Sequence, residues 1–154
     1  MNMRATVSAS VARVGLFLGI ALLTSCAISR SPIAPRPVKL YQNWQLQPGN
    51  TVAGYRITSG LGDISIDLKG KAIHAPFDGQ VQPSGECVLF SSAEIPAYLF
   101  RFCGVQRPQL GEVRSGDAIG VAESLQFAAL RKQPNGTWAF VEPSQSVLER
   151  VLTQ

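Results

Sequence analysis

Few side chains here could do chemistry: three cysteines, one histidine and ten carboxylates in 154 residues. A catalytic zinc takes about three protein ligands, mostly His nitrogens, and His74 is the single imidazole. No Ser/His/Asp order and no Gly-rich phosphate loop accompanies it. His74 lies in a strand-like stretch ahead of Ala75-Pro76 and reads as a strand histidine with satisfied hydrogen bonds. Asp63 and Asp67 would share one face of a strand, because alternate side chains do; the plainer reading is a pair of solvated strand-end carboxylates. The cysteines fall into two groups. Cys26 ends the string Leu23-Thr24-Ser25-Cys26, just behind an apolar run, while Cys87 and Cys103 lie in the body of the chain.

The string L-T-S-C resembles a bacterial lipobox, at which a signal peptide is cut before the cysteine and the thiol is lipidated. The flanking residues agree. Arg4 and Arg13 form a positive n-region, residues 14–23 an uncharged apolar run, and Ser25 is the small residue before the cut. A membrane span needs roughly 20 apolar residues and this run has about half that. A buried core helix fits poorly with the polar, proline-rich sequence that follows. Residues 1–25 are therefore expected to be a lipoprotein signal peptide, with Cys26 as the lipidation site. Stable anchoring takes about two acyl chains, and lipoproteins of this kind carry a diacylglycerol on the cysteine, usually with a third chain such as palmitate on its amine. The resemblance implies a bacterial cell-envelope protein, lipid-anchored and facing the periplasm. Ala27, where an Asp would hold such proteins at the inner membrane, favours the outer membrane.

Pro32, Pro35 and Pro37 make residues 26–40 a proline-rich tether of extended character. Residues 41–154 then form one domain of about 110 residues, a size that buries roughly two-thirds of its unfolded surface. The formal charge of +4 falls to about +2 once Arg4 and Arg13 leave with the signal. The remaining Lys and Arg are scattered, so nucleic acid is not an expected partner. In an oxidising compartment Cys87 and Cys103 suggest a disulfide. Residues 86–90 and 98–103 read as two strands, and pairing them about Ile95 sets the two cysteines opposite each other. Two buried thiols are the alternative. Zinc ligation by the pair lacks any further Cys or His at ligand spacing.

The segments that position these residues read as mainly β. Candidate strands are 51–57, 64–68, 72–75, 79–83, 87–90, 98–103, 118–122, 125–132 and 137–141. Turn signals separate them, among them Lys69-Gly70, Asp78-Gly79, Ser115-Gly116-Asp117 and Asn135-Gly136, the last a strong hairpin signal. Many short strands with frequent turns predict a sandwich or barrel. One short helix is expected at the C-terminus, capped by Ser146 with Glu149 completing a capping box, and burying Val147, Leu148, Val151 and Leu152. Tyr41 and Trp44 are expected to pack as a lid on the domain edge, with carbohydrate stacking as the alternative.

Two motifs point further. Ala75-Pro76-Phe77-Asp78-Gly79-Gln80-Val81 has the pattern A-P-x-D-G-x-V, and residues 111–120 have G-x-V-x-x-G-D-x-I-G. Together they resemble the barrel-sandwich hybrid of biotinyl/lipoyl carriers and efflux adaptors, and the duplicated hybrid motif of lysostaphin/LytM-type zinc endopeptidases. Residues 124–127 (SLQF), 135–137 (NGT) and 141–143 (VEP) are similar to the LytM-type ending H-L-H-F, N-G-x, V-D-P. Residues 98–103 (YLFRFC) stand where that family has T-L-Y-A-H-L, and residues 63–67 (DISID) where it has H-x-G-x-D. The resemblance covers roughly residues 60–143 and implies an antiparallel barrel-sandwich hybrid with a short C-terminal helix.

The family's functional residues do not carry over. Its first metal histidine corresponds to Asp63, its catalytic strand histidine to Phe102, and the two histidines of H-x-H to Ser124 and Gln126; only its metal aspartate is matched, by Asp67. Ser and Gln oxygens are weak zinc ligands, and Phe102 cannot donate to an oxyanion. The expectation is a domain without a hydrolase activity, without metal or cofactor, whose degenerate groove is lined by Asp63, Asp67, Phe102, Ser124 and Gln126. By resemblance to degenerate LytM-type proteins it would bind peptidoglycan or regulate a cell-wall hydrolase such as an amidase. Two alternatives stand beside this. One is a barrel-sandwich part of an efflux or secretion assembly, although residues 82–110 lack the long helical hairpin of such adaptors. The other is a divergent metallopeptidase with Asp63, Asp67 and Gln126 as ligands. The E-A-M-K-M-type hairpin modified in lipoyl and biotinyl carriers is missing.

Overall fold

The computed structural model describes Arg36 and residues 42–153. The signal segment, Cys26, the tether apart from Arg36, and Tyr41 lie outside the described residues. Among the described residues no helix is long and apolar enough to cross a membrane.

The chain is mainly antiparallel β with one short C-terminal helix, the class that the turn-punctuated sequence predicts. Nine strands occur among the described residues: β1 Thr51–Val52, β2 Tyr55–Gly60, β3 Ile64–His74, β4 Gly79–Ser84, β5 Cys87–Ser91, β6 Tyr98–Cys103, β7 Gly111–Val113, β8 Ala118–Lys132 and β9 Trp138–Val141. Their order is β1-β2-β3-β8-β6-β5-β4-β7, with β9 beside β8. The sheet curls over one core but is not closed into a barrel.

The expected turn at Lys69-Gly70 proves to be an irregularity inside a longer strand. Lys69 and Gly70 have φ of 54° and 78°, as a tight turn would, yet β3 runs on through them. The pairing of β3 with β8 shifts register between Asp67 and Lys71 instead, as at a β-bulge. The stretches 118–122 and 125–132 likewise join into the single strand β8. Conversely, the expected strand 51–57 is broken by a reversal at Ala53-Gly54, both at positive φ.

The two motifs meet. Ala75 N donates to Asp117 O at 2.9 Å, Gly116 N donates to Ala75 O at 2.9 Å, and Ser115 N donates to Asp78 Oδ1 at 2.8 Å. Asp117 Oδ2 accepts from Arg114 N at 2.8 Å. Both aspartates thus close turns, which is why the pattern needs them. Gly79 is needed for space, since a Cβ there would collide with Ser91 O and the Phe90 ring.

The core takes alternate residues from most strands and is dominated by phenylalanines. Phe102 packs edge-on to Phe127 with ring centroids 5.1 Å apart, and Phe100 lies 5.5 Å from Phe127. The helix α1, Gln145–Thr153, closes one side by burying Leu148, Val151 and Leu152 against β3 and β1. Its cap is Ser144 rather than Ser146: Ser144 Oγ accepts from Val147 N at 3.3 Å. Glu149 makes no capping box, and instead accepts from the Gln145 side chain at 2.9 Å. Trp44 packs against the core from the edge, as a lid would.

Candidate functional site

Alternation along the strands decides which residues can act together. Residues directly opposite in an antiparallel pair share a face, so the register assigns the outer face without ambiguity. Asp67 stands opposite Ser124, Ser65 opposite Gln126, and Gln126 opposite Cys103, which in turn faces Cys87. Asp63 precedes β3 and lies level with Ala128, which is opposite Arg101. Asp63, Asp67, Ser124 and Gln126 therefore belong to one outer face.

Phe102 does not belong to it. It is fully buried and faces inward against Phe127. The outward residues of β6 at this level are its neighbours Arg101 and Cys103, both half-buried. Phe102 is thus absent from the expected groove, and the charged Arg101 stands in its place. Arg101 reaches to 3.6 Å from Asp63 Oδ2, and its guanidinium carbon lies 5.2 Å from the centre of the Phe140 ring. Ala128, directly opposite Arg101, is only 1% exposed. The Cys87–Cys103 disulfide joins directly opposed residues and stiffens the floor beside Arg101.

Three participants escape a reading by residue type: Arg101, Trp138 and Phe140. Trp138 and Phe140 alternate on β9 and face outward beside Lys132 and Leu130, leaving them 37% and 48% exposed. The available signal is the run Thr137-Trp138-Ala139-Phe140-Val141 after Asn-Gly, in which large aromatics alternate with small residues. Whether such a strand turns its large or its small residues inward depends on the space beneath it. Here the half-buried residues are Ala139 and Val141.

A catalytic zinc, which the LytM-type resemblance implies, does not fit this donor set. Asp63 and Asp67 are four residues apart on an extended stretch, about 13 Å at the rise of a strand, too far to share an ion with Gln126 between them. Among the described residues no three His, Cys, Asp or Glu side chains converge. His74 stands at the far end of β3, paired with Ala118. Its Nδ1 is buried without a hydrogen-bond partner, contrary to the satisfied strand histidine expected. Between the motif halves, residues 82–110 hold β5, β6 and a loop rather than a helical hairpin.

A depression of about 590 Å³ lies elsewhere, among Asp78, Glu112, Arg114 and Asp117. Two of its carboxylates are already engaged by the motif turns, so it belongs to the scaffold. A smaller apolar hollow of about 200 Å³ lies under α1 between Phe77, Tyr98, Phe100 and Val147. No family model matches this chain, and no curated protein matches it either.

Proposed function

We propose that this chain is a non-catalytic cell-envelope lipoprotein, anchored through Cys26, whose β domain binds peptidoglycan or regulates a hydrolase that cuts it. The observation that carries the reading is the composition of the outer face. The positions that resemble a zinc hydrolase site hold Asp63, Asp67, Ser124 and Gln126, set out in rows across β3 and β8, with no imidazole among them. Such a face offers hydroxyl, amide and carboxylate oxygens to a polar ligand. It lacks the cluster of imidazoles that a water-activating zinc takes as ligands.

The lipobox-like N-terminus supports an envelope location. A proline-rich tether suits a domain that must reach from a lipid surface to the wall. The test is co-sedimentation of the full lipidated chain with isolated sacculi, alongside stimulation of an amidase from the same envelope. Binding or stimulation supports the proposal, and failure of both removes it.

A further inference from the structure

The reading above names a cell-wall ligand but not its seat. Resting on that reading, we propose that the ligand site is the part of the outer face centred on Arg101 and flanked by Phe140 and Trp138, and that its occupant is a carboxylate-bearing glycan.

The aromatic half of the argument is exposure. Trp138 and Phe140 are two of the few large apolar side chains left open to solvent, and they stand two residues apart on one strand, about 7 Å. Exposed aromatics of this kind gathered on one face mark a binding surface rather than a packing fault. A sugar ring stacks its C–H face on such rings and needs polar partners for its hydroxyls at the margin. Gln126 and Ser65 lie along the same face about 13 Å from the level of Phe140, where they would meet the next sugar of a glycan rather than the stacked one.

The charged half is Arg101. Its Nε is buried with no hydrogen-bond partner. Its contact with Asp63 is 3.6 Å, longer than the roughly 2.7–2.9 Å of a charge-assisted bond. A planar guanidinium with spare donors takes a carboxylate in bidentate fashion. A ligand carboxylate would displace Asp63 from the Nη end of Arg101, the end that Asp63 now approaches. Phe140 would keep the guanidinium in place through the cation–π contact. The nearby carboxylate of Asp63 opposes the anion, so its removal should strengthen binding.

The test uses the full chain in detergent and disaccharide-peptide fragments released from sacculi, followed by tryptophan emission, with Trp138→Phe separating the signal of Trp138 from that of Trp44. Arg101→Gln and Phe140→Ala should each weaken fragment binding about tenfold or more, the loss of one good charged or aromatic contact. Asp63→Asn should strengthen it about threefold, a gain that misfolding cannot imitate. Fragments with amidated carboxylates should bind the wild-type chain as weakly as ordinary fragments bind Arg101→Gln. If the wild-type chain binds fragments and both weakening variants bind them equally well, the site lies elsewhere and this inference fails while the cell-wall reading stands. If sacculi bind and fragments do not, the inference also fails, and a protein partner in the wall becomes the occupant to pursue. If the wild-type chain binds neither fragments nor sacculi, the peptidoglycan reading falls with it.

Discussion

Phe102 and Arg101 are neighbours in the chain and lie on opposite sides of one strand. Inward, Phe102 is locked among Phe100 and Phe127 with nothing left to offer a ligand. Outward, Arg101 spans from Asp63 to Phe140 with a donor unpartnered. The two faces divide labour. The inner one stabilises the sheet through close aromatic packing, and the outer one retains polar groups that packing would otherwise consume. The scaffold thus rests on residues such as Phe102 that have no access to the outer face.

Substitutions that separate the faces should therefore fall into two classes. Phe102→Ala would leave a cavity against Phe127 and should cost about 3–5 kcal/mol in denaturant unfolding. Replacing Cys87 and Cys103 together with serine removes a cross-link between residues 16 apart and should cost about 3 kcal/mol, read as a lower midpoint that no longer responds to reductant. Ser144→Ala removes the α1 cap and should cost about 1 kcal/mol by the same measurement. Phe140→Ala should change stability by no more than about 0.5 kcal/mol, as exposed substitutions do, and Arg101→Gln, at a half-buried position, by about 1 kcal/mol. A partly exposed, long pair such as Arg101–Asp63 contributes about 0–1 kcal/mol. If Phe140→Ala proved as destabilising as Phe102→Ala, the outer face would be part of the core and the contrast would collapse.

Much of the scaffold was legible in the sequence. The Cys87 and Cys103 strands alternate cleanly about Ile95, so the register that opposes them follows from counting, and that is the register observed. The motif aspartates were legible as turn residues. The strand breaks were less so. Lys69-Gly70 carries the same signal whether it makes a turn or a bulge, because both need positive φ.

The site was legible in part. Asp67, Ser124 and Gln126 share a face, as alternation on paired strands requires. Phe102 was assigned by resemblance to a histidine position, although its own alternation with Arg101 and Cys103 sends it inward. Trp138 and Phe140 were hidden for a different reason. Large apolar residues on a strand are ordinarily core residues, whereas β9 turns Ala139 and Val141 inward instead.

The most direct test of the account is to incubate the full lipidated chain with isolated sacculi in zinc-containing buffer and sediment them. The pellet is then assayed for protein and the supernatant for soluble wall fragments. The account predicts protein in the pellet and no fragments released. Fragments released by the wild-type chain would contradict it, because they would mean that the outer face still cuts.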